Sequence, residues 1–223
     1  MKILFNSEDR MDYEQTQASN CSIQIHKPVS AKKVSLISCQ IPNTFYNITQ
    51  SNNKFVIAEV DYEIPVGNYD LNQLLNTITT ISGFTFTYSD ISNRITISSG
   101  GIFDIYFDTE NSIGHVLGFN NQPYLGSSSY VGPRPPKIYD NYLSINITSI
   151  PHNIISSYRG NQEFNFIVPI GNKSSIEGFH VNNNYQMIEN INIHLFRFDI
   201  QIRNQRHEIV QGLSDFSFLL DFE

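Results

Sequence analysis

The six histidines and two cysteines are the residues most able to bind a metal. The histidines stand singly, at His26, His115, His152, His180, His194 and His207. None has a Cys, His, Asp or Glu at a spacing typical of a metal site, such as H-E-x-x-H. Cys21 and Cys39 are too few and too widely spaced for a zinc site or a disulfide framework. We therefore expect no metal site and two reduced, partly buried thiols.

Paired carboxylates could perform acid and base chemistry on a glycosidic bond. Two pairs have a suitable spacing, Glu59 with Asp61 and Asp104 with Asp108. A glycosidase on a β scaffold would need its two carboxylates to face each other across a cleft, about 5 to 10 Å apart. On a strand this spacing usually marks the face turned to solvent. We therefore expect surface carboxylates.

Nucleophilic and cofactor chemistry lack their usual signals. The sequence has no G-x-S-x-G elbow, although a Ser-His-Asp triad can also be built from distant residues. The glycines at Gly67, Gly100, Gly101 and between Gly114 and Gly118 lack the Lys-Ser/Thr or G-x-G-x-x-G context of a phosphate or dinucleotide site. The prediction is a protein without enzyme activity or cofactor.

The charge of the chain argues against nucleic-acid binding. Its 223 residues carry 14 Lys and Arg against 21 Asp and Glu, a net charge of -7, whereas binding to phosphates needs clustered Lys and Arg. No apolar run approaches the roughly 20 residues of a membrane span. Polar residues follow Met1 to Phe5 too soon for a signal peptide. We expect a soluble chain made in the cytoplasm.

Alternating apolar residues at the end of the chain predict half-buried β-strands. The alternation changes phase between Leu195 and Phe196, which predicts a bulge. Polar residues 203–208 offer turn chemistry, so we predict a long terminal hairpin that closes an antiparallel sandwich. The alternating residues are Ile191, Ile193, Leu195, Phe196, Phe198, Ile200, Ile202, Phe216, Phe218, Leu220 and Phe222.

The first 20 residues differ from the end of the chain in their apolar pattern. Residues 6–20 are polar and charged without an apolar period, which predicts a flexible N-terminal arm over 1–20 that orders on a partner. Strand patterns then follow, with Cys21 to Ile25 and Val34 to Ile41 separated by the breaker Lys27-Pro28. The same short-strand rhythm resumes at Tyr142 to Ile147, Phe164 to Ile170 and Phe179 to Ile188.

The middle of the chain reads as a small α/β insertion over 65–119. Asp70 can cap a helix whose apolar residues Leu71, Leu74, Leu75 and Ile78 have helical spacing, and Gly83 can end it. Short strands follow between Phe84 and Phe107, and a second short helix is predicted at Ser112 to Leu117, ended by Gly118. The Ser, Gly and Pro segment from Gly126 to Pro136 predicts an exposed loop.

Three segments together resemble the penton and minor capsid proteins of virophages and of the related Polinton-like viruses and adintoviruses. They are Ile41-Pro-Asn-Thr-Phe-Tyr-Asn-Ile48, Ile64-Pro-Val-Gly-Asn-Tyr-Asp-Leu-Asn-Gln-Leu-Leu-Asn76 and Ser112-Ile-Gly-His-Val-Leu-Gly-Phe119. The resemblance implies a mainly β chain with a single jelly-roll antiparallel sandwich. The jelly-roll domain would comprise residues 21–64 and 120–223, around the α/β insertion.

The resemblance further implies a structural virion protein. Such a protein would form homopentamers at the fivefold vertices of an icosahedral capsid, beside a double jelly-roll major capsid protein. Large aromatic residues would dominate the seam between copies, and our candidates for it are Tyr13, Phe45, Tyr46, Tyr124 and Tyr130. The arm would reach the surrounding capsid proteins, so deleting residues 2–20 would leave pentamers intact and impair incorporation.

Two other functions are compatible with such a sandwich, because one fold hosts many functions. A spike or lectin-like module would present the loop from Gly126 to Pro136 and the α/β insertion to a host glycan or receptor, and a groove lined by Tyr124 and Tyr130 would favour it. A jelly-roll glycosidase would need the facing carboxylates described above.

Overall fold

The computed structural model describes residues 1–152, 154–156, 162–170 and 187–223. They divide into a large unit, Met1–Phe45 with Asp140–Glu223, and an inserted unit, Tyr46–Tyr139, and each unit has its own apolar core. All pairs between the strands named below are antiparallel. The mainly β class predicted from the sequence is confirmed.

The elements in chain order are β1 (Lys2–Asn6), a 3-10 helix (Ser7–Asp9), β2 (Asn20–Gln40), β3 (Lys54–Ile57), β4 (Val60–Glu63), α1 (Leu71–Ser82), β5 (Thr85–Ser89), β6 (Arg94–Tyr106), β7 (Pro123–Val131), β8 (Tyr142–Ile147), β9 (Ile154–Ser156), β10 (Gln162–Phe164), β11 (Phe166–Pro169), β12 (Met187–Arg203) and β13 (Ser217–Phe222). Most of the predicted strand from Phe179 to Ile188 lies outside the described residues. Its last two residues, Met187 and Ile188, belong to β12.

One six-stranded sheet organises the large unit, in the order β1-β13-β2-β12-β8-β11, while β9 and β10 form a separate pair. The Phe5 ring, on edge strand β1, lies edge-on at 4.9 Å from the Phe198 ring on β12. These strands are separated by β13 and β2 in the sheet order, so the sheet must curl to bring the rings together. Phe218 and Phe222 pack against the same Phe5 ring, which places an aromatic cluster inside the curl.

The predicted break at Lys27-Pro28 does not occur, because β2 runs through it from Asn20 to Gln40. Leu195 pairs with Val29 and Arg197 pairs with Gln24, so residues 25–28 face Phe196 alone. A bulge of this kind leaves surplus residues outside the ladder. Pro28 lies among them, where its missing N–H removes no ladder bond.

The predicted terminal hairpin is wrong. Strands β12 and β13 do not pair with each other, because β2 lies between them and pairs with both. The predicted bulge is confirmed, since the β12 register shifts between Leu195 and Arg197. Alternation shows that a strand is half-buried but does not identify its neighbour.

The N-terminal residues lie on the sheet, in contrast to the flexible arm predicted over 1–20. Strand β1 pairs with β13, and Phe5 is 1% exposed. Ala18 and Ser19 are also buried, and the Ser19 hydroxyl donates a hydrogen bond to the carbonyl of Val210. A few well-placed contacts therefore fix a segment whose composition is polar.

The inserted unit is a sheet ordered β4-β3-β6-β5, with β7 on the other side of β6, and one helix. The predicted helix is confirmed: Asp70 and Gln73 form a reciprocal capping box, and Gly83 ends it with φ of 74°. The unit is wider than the predicted 65–119, because β3, β4 and β7 all pair within it.

Two local predictions in this unit differ from the structure. The segment from Ser112 to Leu117 forms turns instead of a second helix, although Ile113, Leu117 and Phe119 are buried as expected. The predicted loop at Gly126 to Pro136 contains most of β7, which pairs with β6. Strand formation is possible there because Tyr124 and Tyr130, spaced by an even number, pack on one face of the sheet.

Candidate interaction surface

A notch opens on the large unit where β2 and β12 lose register. The surplus residues 25–28 of β2 bend that strand opposite Phe196. The resulting open cleft has a volume of about 510 Å³. We define the notch by its lining residues, which are Gln24, Ile25, His26, Pro28, His194 and Phe196.

The notch combines an exposed aromatic ring with hydrogen-bonding groups. Phe196 is 53% exposed, an unusual state for a phenylalanine, and aromatic residues beside a cleft are enriched at protein interfaces. His194 Nδ1 shares a hydrogen bond of 2.7 Å with Ser30 Oγ, which orients the imidazole. These groups suit the binding of an apolar side chain that has polar groups around it.

A hydrogen-bond network around Asp215 holds residues 7–16 against the large unit. One carboxylate oxygen accepts bonds from Ser7 Oγ at 2.9 Å and from Arg10 at 2.5 Å, and the other accepts from Tyr13 Oη at 2.8 Å. The Arg10 guanidinium also lies 3.7 Å from the centre of the Tyr13 ring. Arg10 is thereby satisfied although its side chain is only 8% exposed.

The Asp215 carboxylate is kept ionised by these partners. Partial burial favours its neutral form, but the hydrogen bonds from Tyr13, Ser7 and Arg10 and the Arg10 charge outweigh burial and lower the pKa. The network therefore fixes the course of the chain after β1. It carries no nucleophile or cofactor cradle.

The residues predicted for a seam between copies lie in different settings. Tyr13 is exposed at the Asp215 network. Phe45 is 3% exposed in the core of the large unit, so its side chain packs within its own chain, while Tyr46, the first residue of the inserted unit, is exposed. Tyr13 and Tyr46 stay predictions for an interface.

Tyr124 and Tyr130 lie side by side, with ring centres 5.8 Å apart in an edge-on arrangement. Each is bound within its own unit: the Tyr124 hydroxyl accepts from the Asn120 N–H, and the Tyr130 hydroxyl donates to the Phe103 carbonyl. Both rings also pack on phenylalanines of the core. Both tyrosines are therefore half-buried and held within the inserted unit.

The carboxylates lie toward solvent, but one member of each pair lies outside a strand, Glu59 in the turn between β3 and β4 and Asp108 after β6. Glu59, Asp61 and Asp108 are exposed, and Asp104 accepts a hydrogen bond from the Gly126 N–H. Within the described residues, no group of three His, Cys, Asp or Glu is placed to hold a metal ion; His180 lies outside them.

Both thiols are free and buried. Burial raises the pKa of Cys21 to about 11 and that of Cys39 to about 12. Such thiols are inert toward oxidants and metals at neutral pH. In the part of the chain that the structure describes, no helix is long and apolar enough to cross a membrane.

Sequence comparison gives one partial match. No protein-family model matches the chain. An uncharacterized protein of Acanthamoeba polyphaga mimivirus is 32% identical over 108 residues, which cover 45% of this chain and 17% of that protein. The chain thus spans about a sixth of the length of this relative.

Comparison of structures gives matches along the whole chain. The crystal structure of the mavirus penton protein aligns with a TM-score of 0.50 at 8% identity, over 100% of this chain and 99% of that chain. A chain in the structure of the Sputnik virophage aligns with a TM-score of 0.45 at 12% identity, over 98% and 96% of the two chains. The chain shares the fold of the mavirus penton protein, so the predicted resemblance is confirmed for the fold.

Proposed function

We propose that this chain is a structural capsid protein that forms homopentamers at the fivefold vertices of an icosahedral virion. The observation that carries the proposal is the alignment with the mavirus penton protein, which extends through both units of the chain. The match to a mimivirus protein is in keeping with a viral origin. The role proposed is structural, without catalysis and without nucleic-acid binding.

The exposed surface of the large unit has features of a protein–protein interface rather than of a catalytic site. A ring of identical subunits uses two different surfaces of each subunit, and its closure covers them all. The edge strand β1 presents Leu4, and the notch presents Phe196, both more than half exposed. Exposed apolar side chains next to an open strand edge favour association with another chain.

The proposed setting defines the partners. Within the virion, the pentamer would contact a double jelly-roll major capsid protein, after synthesis of the chain in the host cytoplasm. The net charge of -7 on each copy opposes self-association. The contacts between copies must therefore join surfaces of opposite charge or bury enough apolar area to overcome the repulsion.

The decisive experiment is the solution mass of the purified chain, measured by light scattering after size exclusion. We expect about five times the chain mass of 25.5 kDa, and negatively stained particles should show fivefold rings. Co-expression with a double jelly-roll major capsid protein should then place the pentamer in particles. A monomer that also fails to enter such particles would contradict the proposal and favour a receptor-binding module.

A further inference from the structure

The notch lies on the most basic strand of the large unit. Strand β2 contains three lysines and no carboxylate. Lys27 is exposed within the bulge, and Lys32 is exposed on the same face as Pro28, because alternate residues of a strand share a face. Neither lysine forms a salt bridge within the described residues. The exposed face of β2 therefore carries two lysines without a salt bridge in this part of the chain, although Lys32 lies near Glu223, whose carbonyl oxygen accepts the Lys32 N–H at 2.8 Å.

A second surface of the same unit carries the opposite charge. We call residues 8–14 the acidic ridge: they contain four carboxylates, and their only cation, Arg10, is bound to Asp215. Asp9, Asp12 and Glu14 are exposed and form no salt bridge in the described part of the chain. The ridge also exposes two large side chains, Met11 at 38% and Tyr13 at 48%.

The ridge is held in place before any partner arrives. The Met11 N–H donates to the Ser22 carbonyl at 2.8 Å, and Tyr13 is fixed between Arg10 and Asp215. A preordered segment loses little entropy on binding. The ridge lies beside the notch of the same copy, because Arg10 and Met11 pair with Ile23 and Ser22, next to Gln24, and its carboxylates remain exposed.

We propose that the notch of one copy receives the acidic ridge of a second copy of this chain. Met11 and Tyr13 would cover Phe196, and the ridge carboxylates would face Lys27 and Lys32. The contact is head-to-tail, and such a contact closes a ring when the rotation between neighbouring copies divides a full turn. This inference rests on the proposed pentamer and specifies which surfaces of the large unit meet.

Charge reversal of each surface tests the pairing in the full-length chain. The variants K27E/K32E and D9K/E14K should each weaken association at least about tenfold, because each places like charges together. The variant with all four substitutions restores opposite charges, so its mass and dissociation constant should return toward those of the unaltered chain. Wild-type association should also weaken with added salt.

Matched variants control for net charge and folding. D61K/E110K and K54E alter exposed carboxylates and a lysine of the inserted unit, outside the notch, the ridge and edge strand β1, and they should leave association unchanged. Circular dichroism and thermal unfolding should be alike for all variants, since the altered side chains are exposed. If a double variant loses both association and folding, the four-substitution variant decides the cause. Recovery of association in that variant would show that repulsion between like charges, rather than unfolding, caused the loss.

The outcomes separate this inference from the proposed function. A pentamer that neither double variant weakens would overturn the ridge and notch pairing and leave the vertex function standing. A dimer or other ring that both double variants weaken would support the pairing and contradict the pentamer. A wild-type monomer at all concentrations would overturn the pairing, and entry into particles on co-expression would then decide the vertex function separately.

Discussion

At the scale of single residues, Asp215 is the group whose removal should have the clearest effect. Its carboxylate satisfies Arg10, whose side chain is nearly buried. A buried cation without its partner costs more than an exposed one. Asp215→Asn should lower the free energy of unfolding by about 1–3 kcal/mol, measured by urea denaturation, and should speed proteolysis between residues 7 and 16.

A similar carboxylate on the surface provides the control. Asp199 accepts hydrogen bonds from Arg197 and Ser22, but the Asp199 and Arg197 side chains are about half exposed. Exposed ion pairs contribute about 0–1 kcal/mol, so Asp199→Asn should have a small effect. Equal losses for the two variants would show that the Asp215 network adds nothing specific.

The same network predicts an acid dependence with a definite sign. The folded-state pKa of Asp215 lies below its ordinary value of 3.8, because hydrogen bonds outweigh burial. Its contribution to stability is therefore complete above the unfolded-state pKa and is lost as the pH falls through the folded-state pKa. The difference in unfolding free energy between the wild type and Asp215→Asn should shrink below about pH 4.

At the scale of elements, the turn that ends with Gly118 shows how backbone geometry selects a residue. Its φ is +85°, and an added Cβ would lie 2.2 Å from the Arg134 carbonyl oxygen. Gly118→Ala should lower the unfolding free energy of the inserted unit by at least about 2 kcal/mol. Thermal unfolding followed by circular dichroism would measure the loss.

Two other glycines distinguish the energetic cost of backbone strain from the cost of steric crowding at the added Cβ. Gly126 has φ of +69° with open space around its Cβ position, so Gly126→Ala should cost only the conformational strain of about 1 kcal/mol. Gly100 has neither constraint, and Gly100→Ala should change stability by less than about 0.5 kcal/mol. An order of losses other than Gly118, Gly126, Gly100 would contradict this explanation.

The elements also show which features a sequence can reveal. Helix α1 was predictable because its cap residues, Asp70 and Gln73, and its stop, Gly83, act on neighbouring backbone groups. The pairing of β2 with both β12 and β13 was not, because it joins residues far apart in the chain. Alternation gives the buried face of a strand, whereas its partner depends on the whole sheet.

The notch shows most clearly which features the sequence reveals and which only the structure reveals. Its two sides were marked in the sequence, by the breaker Lys27-Pro28 and by the phase change between Leu195 and Phe196. Each mark predicted a local irregularity, and only the register of β2 against β12 shows that the two irregularities face each other. The exposure of Phe196 follows from this register and was not visible from its apolar type.

At the scale of the whole molecule, the described residues form two apolar cores, and the N-terminal residues belong to one of them. Phe5 lies in the aromatic cluster with Phe198, Phe218 and Phe222. Residues 1–20 are thus part of the large unit before assembly, whereas composition alone predicted an arm that orders on a partner. A polar segment can be ordered by one buried ring, one satisfied ion pair and one strand edge.

This difference reverses the outcome expected for an N-terminal truncation. Deleting residues 2–20 removes β1, Phe5 and the Arg10 partner of Asp215, and it exposes the aromatic cluster together with the edge of β13. Losing the buried Phe5 ring alone should cost about 3–5 kcal/mol. The truncated chain should therefore have a lower urea midpoint, bind a hydrophobic dye and aggregate. Phe5→Leu, which keeps an apolar side chain, should lose far less, whereas a truncated chain with an unchanged midpoint and an intact pentamer would support the arm after all.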